Sequence, residues 1–320
     1  MDKGRRRFLA ASALAPLALA ACGEQPPLTR VGGIVWIGYE PLFLARELGL
    51  YDSNTLRLVE MPSNSTNLMS LATGDVEAAT LTLDECLLAR EGGLDVRTIL
   101  VFDYSAGADV VMCRPEIKRL QDLRGRRIGV EETAAGALML AKLLETAGLA
   151  PDEVVKVRVT ADRQLRAYLA GEVDVLVSWE PHATQLQAQG ARRLFDSRAF
   201  PGLIVDVLVA RADALERSPA SFRQLLAGYF HALDYLHRSP DDAFARMAPR
   251  LGVSPDELRV AQQGLRFMDL ASNREWLDGA GSRLEPAAGK VARIMTAAGL
   301  LKRLPPLDGL ADARFLPEAA

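Results

Sequence analysis

The chain repeats one short plan. A helix stops at a glycine, and then come an acid, a valine, a second acid and an apolar strand. The first copy is "LATGDVEAATLTLDE" (Leu71–Glu85) and the second is "YLAGEVDVLVSWEP" (Tyr168–Pro181). The copies lie about a hundred residues apart, too far for the period of a solenoid. They fit two similar α/β lobes, each presenting the end of an equivalent strand. Both strands end on residues that do not belong in a sheet core: Thr82 and Asp84 in one, Trp179 and Glu180 in the other.

Around these copies, strands and helices alternate. Strands are expected over "VGGIVWIG", "TLRLVEM", "VEAATL", "DVRTILVF" and "DVVMC", with helices over "PLFLARELGLY", "STNLMSLATG" and "LDECLLAREGG" between them. The order then restarts. "RRIGV", "VVKVRV", "VDVLVSW", "ARRLF" and "LIVDVLVA" read as strands, and three further helices separate the first four. Alternation of this kind signals an α/β fold with a mainly parallel sheet. Beyond Ala212 the chain turns helical. There "FRQLLAGYFHALDYL" puts Phe222, Leu225, Leu226, Tyr229, Phe230, Leu233 and Leu236 on one stripe, as an amphipathic helix on a core does. His231 and His237 read as surface or packing residues of that helix. The length of 320 residues and the hydrophobic share of 49% allow one large domain or two ordinary ones with a substantial core.

A net charge of -3 and scattered Lys and Arg argue against a nucleic-acid binder. The one basic cluster, Arg5 to Arg7, opens a leader. An apolar run of about 14 residues follows, too short to span a bilayer as a helix, and small residues end it. "LAAC" (Leu19–Cys22) resembles a bacterial lipobox, which makes Cys22 the expected lipidation site. "RRRFL" resembles a twin-arginine export motif. The expected product is therefore periplasmic or otherwise extracytoplasmic, and held to the membrane by lipid alone. Cys86 and Cys113 sit in apolar stretches and read as buried free thiols. No C-x-x-C occurs, so there is no zinc or redox signature.

Four segments in order carry a family resemblance: "WIGYEPLFLARELGLY", "LVEMPSNSTNLMSLATGDVEAATLTLDE", "LRGRRIGVEETAAGALML" and "LAGEVDVLVSWEP". From about Val31 to Phe315 the chain resembles the periplasmic solute-binding proteins of ABC importers. The resemblance is to the nitrate, taurine, sulfonate and thiamine-precursor binders, the NMT1/THI5-like group. It implies a two-lobed periplasmic-binding-protein type II fold with a hinge. Residues 1–22 would be the lipoprotein signal. Residues 30–108 and 207–315 would form a discontinuous first lobe, and 109–206 the second. It also implies a small-molecule ligand trapped by closure, an ABC permease and ATPase as partners, and a monomer. Neither cofactor nor metal is implied.

In open α/β sheets, ligands bind outside the carboxyl ends of the strands. That rule selects the candidates. Gly38, Tyr39 and Pro41 follow the first strand, where Gly38 either admits a ligand or makes a tight turn. Ser63 and Ser65 follow the second strand, as helix caps or ligand donors. Thr82 and Asp84 end the third, and Asp84 could be an N-cap. Asp103 and Ser105 end the fourth. In the second lobe Glu131 and Thr133 lead a strand into a helix, and Trp179 and Glu180 end the equivalent strand. Glu180 could instead answer a helix dipole. Asp206 is an acid in an apolar crossing strand, costly to bury without a partner. The set is acidic, with no Lys or Arg at a matching strand end. It points to a ligand with an amine or other donor, such as an amino-sulfonate or a nitrogen heterocycle, held against Tyr39 and Trp179. Two other classes share parts of this reading. One is a tethered sensor that hands its ligand to a receptor. The other is an enzyme like those of thiamine-pyrimidine synthesis, for which no nucleophile–base pair is visible.

Overall fold

Among the described residues, eleven strands fall into two sheets. The computed structural model describes residues 27–131, 134–279 and 282–318. The leader with Cys22, and Thr133, lie outside the described residues. The first sheet contains β1 (Thr29–Gly33), β2 (Leu56–Glu60), β3 (Ala78–Thr82), β4 (Val96–Ser105), β10 (Val205–Arg211) and β11 (Leu265–Phe267), in the order β11-β4-β10-β3-β1-β2. The second contains β5 (Asp109–Cys113), β6 (Arg127–Val130), β7 (Val155–Arg158), β8 (Val175–Trp179) and β9 (Arg192–Asp196), in the order β7-β6-β8-β5-β9. The chain leaves the first sheet between Ser105 and Asp109 and returns between Asp196 and Val205.

The expectation of mainly parallel sheets needs one correction. β1, β2 and β3 pair in parallel, as do β6, β7 and β8. β5 and β10 run antiparallel to both of their neighbours. The cause is geometric. A strand that arrives from the other sheet enters at the carboxyl ends of its new neighbours, so it must run against them. Each crossing strand therefore begins at the mouth between the sheets.

Local chemistry sets the element ends. Ser63 caps the helix Asn64–Thr73, its Oγ accepting the Thr66 N–H at 3.2 Å, and Gly74 closes that helix at φ 84°. That left-handed conformation suits glycine, and a helix commonly ends that way. β3, between β1 and β10, is buried along its whole length, which explains its run of apolar residues without alternation. β1 stops at Gly33, short of the expected strand through Gly38. Ile34, Trp36, Ile37 and Tyr39 are apolar because they fill the space between the sheets, where Ile37–Tyr39 forms a 3-10 turn.

The amphipathic helix Pro219–Arg238 buries Phe222, Leu225, Leu226, Tyr229, Leu233 and Leu236, and leaves His231 and His237 exposed. Cys86 and Cys113 are separate buried thiols in different cores, each pushed up to about 11 by burial. Among the described residues, no helix is long and apolar enough to cross a membrane.

Candidate functional site

The carboxyl ends of both sheets meet across one cavity. Tyr39, Thr82 and Asp206 line it from the first sheet's side, and Asp109 and Trp179 from the second. Ile34, Trp36, Asn64 and Met139 complete the apolar and polar walls. The space left for the centre of a water-sized sphere is about 20 Å³, room for roughly one water. The lobes are closed on each other here.

Under the cavity runs a row of three residues from three strands, of which Thr82 and Asp206 line it. Asp206 on β10 stands across from Thr82 on β3 and from Asp103 on β4. Cross-strand neighbours have Cβ atoms about 5 Å apart, so Asp103 and Asp206 present their carboxyls side by side. They are 0% and 2% exposed. The Tyr39 hydroxyl donates to Asp206 Oδ1 at 2.7 Å. Asp206 Oδ2 and both oxygens of Asp103 have no donor from the protein. Two buried carboxylates this close cannot both ionise. Burial first, and then Asp103, hold Asp206 well above the usual carboxylate range, and burial does the same for Asp103. Both carboxyls are therefore biased toward the protonated form.

Asp109 adds a third acid from the opposite sheet. It opens β5, directly across from Trp179 at the end of β8. Burial and the nearby Asp84 push it up to about 7, and its Oδ2 also lacks a donor. Behind this wall, burial raises Asp84 to about 6 and lifts Glu85 well above its usual range. Among the described residues, no Lys or Arg lines the cavity. His182 packs edge-on to Trp179 with ring centroids 5.7 Å apart. Burial holds it down to about 4, so it supplies no positive charge at neutral pH.

The remaining expected residues fall into different roles. Gly38 needs to be glycine because a Cβ there would overlap Asp103 Oδ2 and Trp36 Nε1. Pro41 lies buried in the first turn of the helix Glu40–Glu47 and is not among the lining residues. Ser63 is a cap. Ser65 donates through both N–H and Oγ to Glu131 Oε1, each at 3.0 Å. Ser105 Oγ bonds Ser197 Oγ at 2.8 Å and accepts the Asp109 N–H at 3.0 Å, at the crossing between sheets.

Glu180 is the clear correction. Its Oε2 accepts the Thr184 N–H and hydroxyl at 3.0 and 2.7 Å, and its Oε1 meets Arg193 at 3.0 Å. Successive side chains along a strand point to opposite faces. Trp179 faces the cavity, so Glu180 faces away from it. There Arg193 on β9 supplies the cation that the sequence reading did not place.

Trp36, Met139 and Asp109, which line the cavity, were missed, whereas Asn64 lies within the stretch Ser63 to Thr66 that reads as possible donors. The signal for Asp109 was present. It is the first residue of a strand that starts at the mouth, and "GADVVMC" puts an acid in front of an apolar run.

Comparison with known proteins adds an independent line. A family model described as "NMT1/THI5 like" matches residues 36–243. A binding protein of Brucella abortus is 24% identical over 268 residues, 80% of this chain and 82% of that protein. The structure of the alkanesulfonate-binding protein SsuA from Xanthomonas axonopodis, bound to MOPS, superposes with TM-score 0.75 at 18% identity, over 88% of this chain and 98% of that one. The desulfurization enzyme DSZB superposes with TM-score 0.62 at 21% identity, over 90% of this chain and 97% of that one. This fold thus carries both binding proteins and an enzyme.

Proposed function

The chain belongs to the NMT1/THI5-like family, and from that premise we propose that it is a periplasmic solute-binding protein of an ABC importer, whose ligand carries an amine or other strong hydrogen-bond donor. One observation carries the choice of ligand. Asp109 and Asp206 line one cavity, Asp103 lies buried beside Asp206, four oxygens of these three carboxyls lack a donor, and among the described residues no cation lines the walls. A ligand N–H or ammonium would satisfy these oxygens, and Tyr39 and Trp179 offer aromatic faces to its body. A bare sulfonate or nitrate would meet carboxyls instead of donors. The ligand enters when the lobes part at the two crossings, as in other hinge-closing binders. Trp179 Nε1, donating to the Val35 carbonyl at 3.3 Å, is one contact that such opening breaks.

An enzymatic reading would need a nucleophile at the cavity. Among the described lining residues the candidates are Tyr39, Thr82 and the two aspartates, with no cysteine, histidine or lysine, and the Brucella relative is named as a binding protein, so binding is the better-supported role. Export and lipid attachment at Cys22 rest on the leader sequence. Expression as a monomer, together with a permease and an ATPase, rests on the family.

The test is calorimetric titration and thermal shift with polyamines, amino-sulfonates and amino-heterocycles, set against nitrate and methanesulfonate. A ligand at a hundred times its dissociation constant adds about 2.7 kcal/mol, a readily measured shift. An amine-bearing compound is expected to bind, to weaken more than tenfold in Asp206→Asn, and to bind Glu180→Gln unchanged. Binding of the bare anions, with the amines silent, would overturn the ligand class.

A further inference from the structure

Glu131 stands at the end of β6 in the second sheet, yet its carboxylate is spent on the first. Its Oε1 takes the N–H and the hydroxyl of Ser65, in the first turn of the helix Asn64–Thr73, and its Oε2 takes the Ala161 N–H at 3.2 Å. The other nearby amides of that helix are already engaged: Thr66 N–H by Ser63 Oγ and Asn67 N–H by the Ser63 carbonyl. A helix start offers free amides and partial positive charge, the usual seat for an oxyanion. Here three donors from both lobes converge on one oxyanion, and it is the protein's own. The residue is 1% exposed.

We propose that Glu131 is a specificity-determining residue: a built-in anion that fills the seat an anionic ligand would need, and that clasps the two lobes together while doing so. This rests on the ligand-trapping role proposed above. Two features make the occupation selective. The seat adjoins the cavity, whose wall includes Asn64 next to Ser65 and Gly136 packed against the Glu131 carbonyl, and no Lys or Arg lines that wall among the described residues, so these three donors are the nearest anchor for a negative group. The unpartnered oxygens of Asp206 and Asp109 belong to residues that line the neighbouring cavity, and they call for a donor and not for a second anion. Donors that would hold a sulfonate or carboxylate are thus converted into a clasp, and the open coordination left in the cleft belongs to the acids.

Removing the side chain should reveal the seat. Glu131→Ala is titrated with sodium acetate and with sodium methanesulfonate, against sodium chloride at matched ionic strength, with melting temperature as the readout. The wild type is expected to respond to all three salts alike. The variant is expected to melt lower and to regain several degrees, saturably, with acetate or methanesulfonate but not with chloride. Adding Ser65→Ala to the variant should weaken that recovery at least several-fold, because one of the three donors is gone. Glu131→Ser provides the same reading if the alanine variant does not fold. Folding recovered by acetate counts for the seat, and a variant that stays unfolded in acetate counts against it. A folded variant that responds to acetate as the wild type does would overturn the proposal. The experiment uses no amine, so an anion seat can be established even if the amine ligand class fails, and the converse also holds.

Discussion

Replacing Asp109 by Asn should remove a defined part of the protein's pH dependence. An ordinary aspartate titrates near 3.9, whereas burial and Asp84 push Asp109 up to about 7. Between those values the folded protein holds a proton that the unfolded chain has already released. The sign follows from linkage. Stability contributed by this group is full below the unfolded value, falls as pH rises, and is gone once pH passes the folded value. The slope approaches about 1.4 kcal/mol per pH unit for one group. From pH 5 to pH 7 the loss is roughly 2 kcal/mol, because the titration is only half complete at pH 7. For a chain of this size that corresponds to roughly 3 °C in melting temperature. Glu40, pushed up to about 7 by burial, and Asp84 titrate in the same window. Both are present in the variant, so they largely cancel in the comparison. Ligand-free wild type and Asp109→Asn are melted at half-unit steps from pH 5 to pH 8. The wild type is expected to lose its advantage, or deepen its deficit, by about 3 °C between pH 5 and 7. Melting curves that run parallel across that range would refute the reading of Asp109 as a buried, protonated acid.

Two other sites give direct tests. Gly38→Ala places a Cβ against Asp103 Oδ2 and Trp36 Nε1. Overpacking of this kind costs about 1–3 kcal/mol, so urea denaturation should show a loss in that range together with weaker ligand binding, and a change under about 0.5 kcal/mol would mean the site is more open than described. Cys22→Ala should abolish incorporation of labelled fatty acid and move the protein from the membrane fraction to the soluble periplasmic fraction, and labelling that persists would remove Cys22 as the attachment point.

Much of the fold was legible, because it is written in local patterns. Helix stops at Gly74 and Gly171, the cap at Ser63 and the apolar stripe of Pro219–Arg238 all depend on neighbours a few residues away. The site depends on two things that local patterns do not hold. One is the parity of a strand. "VSWEP" shows that Trp179 and Glu180 face opposite ways, but not which of them faces the cavity. The choice is settled by Arg193, which waits on β9 for Glu180. The other is register across distant strands. Thr82, Asp103 and Asp206 were each suspected singly, yet their union into one row comes from a strand that returns about a hundred residues after β4 and inserts between β4 and β3. That return also explains why an acid is tolerated in "IVDVLV". Asp206 needs no basic partner, because Tyr39 donates to one oxygen and burial beside Asp103 favours its protonated form. The same arrangement makes the pair a sensitive receptor. A ligand cation that displaces a proton from this pair replaces a protonated, half-satisfied carboxyl with an ion-paired one. Binding should therefore release a proton, and the affinity should rise with pH as Asp109 and its neighbours ionise.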